Sequence, residues 1–236
     1  MTELTKHVEY IDSFDQHISI AMITMNEEKA IVKVIQDIKS VAPAAEIIIV
    51  DSSSDDTANI ASKLGVKVFR QFPPCGYGPA MALALKKSSR EIIITLDCDD
   101  TYPTLFIPEL ATCILKQEYD VVNASRLKNK PKNMSWSHYI GNYIFASLAS
   151  LIYCTKITDL HSGMRAYRKS MLDSINFATN GAALPVELLL KPMKLGFKVH
   201  TIFIDYKERV GQSKMHAFST SWWTIKRILK VKLFTK

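Results

Sequence analysis

The chain has 236 residues, 47% of them hydrophobic, which is apolar material for one sizeable core and length for one domain or one plus a small appendage. No stretch reaches about eighteen uninterrupted apolar residues and the opening MTELTKHVEY has neither a basic start nor an apolar run, so neither a spanning helix nor a signal peptide is expected. The net charge of +7 is unevenly placed: residues 191–236 hold 11 Lys and Arg against 2 Asp and Glu, leaving 19 against 21 for the first 190, so the basic end seeks an anion.

In chain order, Ile18 to Thr24 is a β-branched apolar run that reads as a strand, with Asn26 capping a following helix to about Val41 and Glu27 and Glu28 in its first turn. Glu46 to Val50 is a second buried strand, Asp55 to Leu64 a helix closed by Gly65, and Val66 to Phe69 a third strand. Gly76 to Gly78 opens a helix through Lys87, and Glu91 to Leu96 is a fourth strand. Val121 to Ser125 reads as a strand, Trp136 to Tyr153 as an apolar helix, Leu184 to Leu195 as a helix and Lys198 to Ile204 as a strand. Alternating strands and helices with short connections predict an α/β fold with a mostly parallel sheet flanked by helices, whose ligands sit beyond the carboxyl ends of the strands. Four cysteines, at 75, 98, 113 and 154, show no CxxC spacing and read as reduced thiols.

The polar residues just after the strands are therefore the candidates. Asp97-Cys98-Asp99-Asp100 follows the strand IIITL, and two carboxylates one residue apart at a strand end can face a hard cation together; Mg²⁺ or Mn²⁺ would suit oxygen ligands and a diphosphate. The competing reading is an acidic turn before Pro103. Asp51 follows the second strand and is placed to receive base or ribose hydrogen bonds, whereas Asp55 and Asp56 read as capping residues. Asn26-Glu27 can close the same pocket, and Gly76-Tyr77-Gly78 offers backbone N–H groups to phosphate at a helix start. His161 has no second His or Cys at ligand spacing and is assigned no metal.

IAMITMNEEKAI, IIIVDSSSDDT, GYGPAMALAL, TLDCDDTYP, NASR, DLHSGMRAYR, PVELLLK and YKERVGQSKM occur here in the order found in family-2 glycosyltransferases similar to dolichyl-phosphate mannosyltransferase and polyprenyl-phosphate sugar transferases. The resemblance spans roughly residues 18–216 and implies a GT-A fold, Rossmann-like in its nucleotide-binding sheet. It implies that Asp97-Cys98-Asp99 is the metal and diphosphate motif, that Asp97 and Asp99 hold the metal, and that Glu27, Val50 and Asp51 contact the nucleotide. Arg126, Arg165, Arg209 and Lys214 match basic positions around the phosphates. Ile23 and Met25 replace the usual Pro and Tyr beside the base, a single Asp51 replaces a double Asp, and Thr101 stands where mannosyltransferases carry Gln. Base and sugar therefore stay open between GDP-mannose and UDP-glucose.

A lipid monophosphate is largely dianionic at neutral pH, with its second pKa near ~6, and needs positioning more than proton removal. A hydroxyl acceptor would need a base, for which Asp159 and Glu187 are the candidates; either also reads as a structural hydrogen-bond acceptor. The helix Trp136–Tyr153 is apolar nearly all round and aromatic-rich, so it lies in the core or in a membrane interface. Trp222-Trp223 with interleaved cations to Phe234 suits an anionic lipid surface.

The resulting expectation is an inverting, metal-dependent hexosyltransferase that binds a nucleotide sugar and glycosylates a polyprenyl phosphate, peripheral on the cytosolic face of a membrane. Residues 1–17 form a leader, 18–216 the catalytic domain and 217–236 a basic aromatic helix. Catalysis is assigned to Asp97, Asp99, Arg126, Asp159 and Arg209, and donor contacts to those residues except Asp159, together with Glu27, Val50, Asp51, Cys98 and Lys214. A membrane-embedded partner subunit fits the missing spanning helix. One alternative changes the acceptor to a soluble phosphorylated molecule or a glycan hydroxyl. Another is a non-catalytic membrane or nucleic-acid binding module, in which the strand-end carboxylates have no role; no nucleic-acid partner is expected.

Overall fold

A computed structural model describes residues 14–132, 134–181, 183–207 and 217–235, without the side chains of residues 217–220. The short run Asp15–His17 is a 3₁₀ turn whose Asp15 carboxylate accepts the Ala44 N–H at 2.8 Å, in the loop just before Glu46.

The β-branched runs form β1 (Ile18–Thr24), β2 (Glu46–Asp51), β3 (Lys67–Arg70), β4 (Ile92–Thr95) and β5 (Val121–Ser125). Between them lie α1 (Ile31–Val41), α2 (Thr57–Lys63), α3 (Tyr77–Lys87) and α4 (Ile107–Leu115). The second half supplies α5 (Trp136–Tyr153), β6 (Arg165–Arg168), α6 (Lys169–Ser174), α7 (Leu184–Lys194), β7 (Val199–Phe203) and α8 (Ala217–Phe234). The seven strands form one sheet in the order β3-β2-β1-β4-β6-β5-β7. Among the described residues only β6 runs antiparallel, to both β4 and β5.

Six carboxyl ends therefore point to one edge of the sheet, and the start of β6 lies beside them. The order reverses between β1 and β4, the crevice where open α/β sheets take ligands. Strand residues alternate between two cores as their period of two requires. Ile18, Ile20, Ile49 and Ile94 pack with α1 and α4, while Ala21, Val50, Ile93 and Val121 pack with α3, α7 and α8.

One local expectation is corrected. Asn26 does not cap α1: it takes a left-handed φ of 58°, and the helix starts at Ile31. Asn26 instead laces two loops, its N–H donating to Ser53 Oγ and its Oδ1 accepting the Ser54 N–H, each at 2.8 Å. Helix α8 packs against the body, with Thr224, Arg227, Ile228 and Val231 buried at the i, i+3, i+4, i+7 spacing of one helix face.

Candidate active site

The loop after β1 is fixed to the loop after β2. Glu27 N–H donates to Thr57 Oγ1 at 2.9 Å, while the Asp55 carboxylate accepts the Thr57 N–H at 3.0 Å from the residue before the N-cap Asp56, whose own side chain makes no cap bond. Asp51, at the end of β2, is wholly buried. Its carboxylate accepts Thr24 Oγ1 at 2.6 Å, the Ser53 N–H at 3.1 Å and the guanidinium of Arg70. Arg70 ends β3 directly beside Asp51 in the sheet register and is about half exposed. Arg70 thus occupies the Asp51 carboxylate, a pairing that the Arg ending the third strand could have flagged in the sequence. Val50 is buried in the core shared with Ala80 and Met81.

The turn after β4 separates its carboxylates. Asp100 adopts φ 61° and pairs with Lys33 at 2.9 Å, so the turn reading holds for Asp100. Asp99 is 2% exposed, and its Oδ1 accepts both the N–H and the hydroxyl of Thr101, at 3.2 and 2.5 Å. Thr101 therefore orients Asp99 from the position where a Gln was expected. Asp97 is half-buried against Gly163, the residue before Met164 and β6. A Cβ on Gly163 would stand 2.7 Å from Asp97 Oδ2, so only glycine lets this carboxylate sit where it does. Cys98 turns its side chain into the core. Burial first, then the charges of Glu27, Asp99, Asp97 and Asp51, push its thiol pKa up and keep the thiol protonated.

Just past β5 lies a buried ion pair. Arg126, just past β5, donates from Nε and Nη2 to the two oxygens of Asp159 at 2.8 and 3.0 Å, and its N–H also donates to Asp159 at 3.2 Å. Burial works to raise the Asp159 carboxyl, but the Arg126 charge and hydrogen bonds outweigh it and hold the pKa below the ordinary carboxylate value. The guanidinium lies 5.3 Å from the Tyr206 ring centre, Tyr206 meets Tyr102 edge-on at 5.3 Å, and Tyr102 Oη accepts the Gly163 N–H at 2.7 Å. A continuous chain of contacts thus links Arg126 to Asp97.

Arg165 departs from expectation. It is fully buried, with Nε on Asn123 Oδ1 at 2.7 Å, Nη2 on Leu160 O at 2.8 Å and Nη1 on Pro185 O, so it clamps the fold rather than facing a phosphate. His161 Nε2 bonds Thr224 Oγ1 at 2.8 Å, and burial lowers its pKa to about 4, leaving a neutral imidazole. Glu187 is 5% exposed and pairs with Arg227. Arg209 and Lys214 lie outside the described residues.

Among the described residues no three His, Cys, Asp or Glu side chains converge as a metal cage. Asp97 and Asp99 as the carboxylates of one turn suit a hard divalent cation that takes its remaining oxygens from a diphosphate and water. No helix among the described residues is long and apolar enough to cross a membrane. Yet α5 exposes Trp136, Ile140, Tyr143, Ile144 and Leu151 along one side and buries only Ala146 and Ala149, which rules out the core alternative for this helix. Helix α8, in contact with α5, exposes Trp222, Ile225, Leu229 and Leu233 beside Lys226 and Lys230.

Comparison with known proteins agrees with this geometry. A dolichyl-phosphate hexose transferase of Haloferax volcanii is 37% identical over 220 residues, 93% of this chain and 95% of that one. A dolichol-phosphate mannosyltransferase of Pyrococcus furiosus is 26% identical over 74% of this chain, which spans about half (52%) of that protein. Glucosyl-3-phosphoglycerate synthase of Mycobacterium tuberculosis, solved with Mn²⁺, UDP and phosphoglyceric acid, superposes with a TM-score of 0.77 at 20% identity over 96% of this chain and 84% of that one, a likeness of fold. Residues 19–175 match glycosyl transferase family 2, and the chain belongs to that family.

Proposed function

We propose that this glycosyltransferase moves a hexose from a nucleotide-diphosphate sugar, GDP-mannose or UDP-glucose in type, to a polyprenyl phosphate at the cytosolic face of a membrane. The observation that carries the reading is the 37% identity, over nearly the whole of both chains, to a protein named a dolichyl-phosphate hexose transferase.

The donor would lie in the crevice between β1 and β4, with Glu27 and Asp51 on the nucleotide side and residues 76–78 at the phosphates. Asp97 and Asp99 would hold the divalent metal, Mg²⁺ or Mn²⁺, which when bound neutralises charge on the departing diphosphate. Arg209 and Lys214 are read as further cations for that leaving group, and residues 18–216 as the catalytic unit.

The acceptor side supports a phosphate nucleophile. Asp159 and Glu187, the two candidate bases, are both committed to arginine partners, Arg126 and Arg227. Asp159, held ionised by the bidentate Arg126 guanidinium, is a poor proton acceptor, which a dianionic phosphate does not need. Nε and Nη2 of Arg126 go to Asp159, and among the described residues Nη1 makes no hydrogen bond, so that edge can meet a phosphate oxygen. The phosphate oxygen then bonds to the anomeric carbon as the bond to the diphosphate oxygen breaks. The exposed apolar sides of α5 and α8, rimmed by lysines, suit a lipid surface that presents such an acceptor.

An acceptor panel tests this. Purified protein with Mn²⁺ and radiolabelled nucleotide sugars should label a short polyprenyl phosphate; labelling only of phosphoglycerate-type soluble acceptors, or of neutral glycans, would overturn the lipid reading.

A further inference from the structure

One cation of α8 faces inward. Arg227 is 3% exposed, whereas Lys226 and Lys230 on the same helix are exposed. Its Nη1 donates to Ala178 O at 2.9 Å and to the Glu187 carboxylate, and its Nη2 donates to Asn180 O at 2.6 Å and Asn180 Oδ1 at 3.1 Å. Glu187, in the first turn of α7, accepts the Ala178 N–H at 3.1 Å through its other oxygen. Two charges taken out of water persist only when both are well hydrogen-bonded, and here most of the partners come from residues 178–180.

That segment is pressed from the opposite side. A Cβ on Gly78, in the first turn of α3, would stand 1.9 Å from Thr179 O and 2.8 Å from Gly181 O, so the helix start packs directly onto the segment's backbone. Gly181 has φ +77° and lies against the Trp223 ring, where a Cβ would come within 3.0 Å. Residues 178–181 are thus held between α8 and α3. Tyr77, beside Gly78, lines one small cavity with Thr95 and Gly163, and Gly163 lies directly against the Asp97 carboxylate. The contacts run from Arg227 and Trp223 through residues 178–181 to Gly78, whose neighbour Tyr77 shares a cavity with the Gly163 that abuts Asp97.

We propose that Arg227 is a positioning residue: with Glu187 it clamps residues 178–181 between α8 and α3 and so fixes the donor turn 76–78 against Asp97. This rests on the donor reading above. The clamp ties a helix whose other side is apolar and exposed to the turn that receives the donor phosphates. Mechanistically it asks nothing of Arg227 at the reacting atoms, since a shift approaching 1 Å in a positioning element is enough to change binding and rate.

The test uses the full chain, with UDP and GDP in the presence of Mn²⁺ as calorimetric probes, steady-state kinetics in the donor, and thermal unfolding. Arg227→Lys keeps the charge but loses the two-pronged fork. Arg227→Met with Glu187→Leu removes both charges at similar volume, a replacement that buried ion pairs often tolerate without loss of stability. Both variants should unfold cooperatively, and the double variant should weaken diphosphate affinity and raise donor KM by about tenfold or more, with kcat at saturating donor changed far less. Wild-type affinity and KM in the folded double variant would overturn the clamp while leaving the donor reading intact. Failure of the wild type itself to bind either diphosphate would overturn the donor reading, and the clamp with it.

Discussion

Gly163→Ala moves the Asp97 carboxylate without changing any charge. The new Cβ would stand 2.7 Å from Asp97 Oδ2 and 2.9 Å from its Cγ and Oδ1, whereas ordinary contact begins at 3.4 Å, so the carboxylate must retreat by about 0.7 Å. Gly163 does not adopt a left-handed φ, so alanine fits its backbone and also restricts the unfolded chain. Stability should therefore change by less than about 1 kcal/mol, while a displacement approaching 1 Å of a group that positions the reaction costs on the order of 10- to 100-fold in kcat/KM. Initial rates of sugar transfer across an Mn²⁺ titration, with thermal unfolding alongside, separate the two effects. The account predicts a raised Mn²⁺ requirement and a depressed rate in a protein that melts like wild type. Rates within twofold of wild type at every Mn²⁺ concentration would refute the claim that the position of Asp97 matters to the site.

Asp159→Asn should cost about 3–5 kcal/mol in urea unfolding, because it leaves the Arg126 guanidinium, 9% exposed, without its counter-charge; a loss under about 1 kcal/mol would show that the pair is not the anchor described. At the opposite edge of the sheet, Glu46 is a stability element remote from the chemistry. Burial works to raise its carboxyl, but Lys67, Ser19 and Ser89 outweigh it and hold the pKa down to about 2 from an ordinary 4.5. A depressed carboxylate stabilises above its unfolded pKa, so the melting-temperature gap between wild type and Glu46→Gln should be full above pH 4.5 and shrink as pH falls towards 2; a gap independent of pH would contradict the assignment. Reversing Lys226 and Lys230 to Glu should weaken sedimentation with phosphatidylserine vesicles by at least about 2 kcal/mol, at roughly 1 kcal/mol per lysine lost, with added salt closing the gap; unchanged sedimentation would remove α8 from the lipid contact.

The parallel strands were readable because strands covered on both faces are continuous apolar runs, as EIIIV and IIIT are, and β5 and α5 begin and end where their residues predict. Strand β6 was not, since its sequence RAYR places two arginines where a buried strand should be apolar. Arg165 is buried there only because Asn123 and the carbonyls of Leu160 and Pro185 satisfy it, partners scattered over the chain. Helix α4 begins IPE after a 3₁₀ turn, and Pro108 in its first turn, close behind Pro103, masks the helix start in the sequence. At the site, the strand-end carboxylates could be read from position alone. The pairing of Arg126 with Asp159 joins residues 33 apart, and no local pattern encodes it. Gly163 was visible within HSGMR, but its reason, the close approach of Asp97, is a tertiary contact. The two long helices show the converse limit: composition alone left α5 between core and interface, and only the packing of α8 against it settles which side is covered.

The central claim is that Asp97 and Asp99 hold a donor diphosphate through a divalent metal for transfer to a lipid phosphate. Its most direct test is sugar transfer by wild type and Asp99→Ala with Mn²⁺, a panel of nucleotide sugars and a short polyprenyl phosphate. The account predicts metal-dependent sugar-lipid formation from one donor class, abolished by chelation and by Asp99→Ala in a protein that remains folded. Undiminished transfer by Asp99→Ala, or transfer indifferent to chelation, would contradict it.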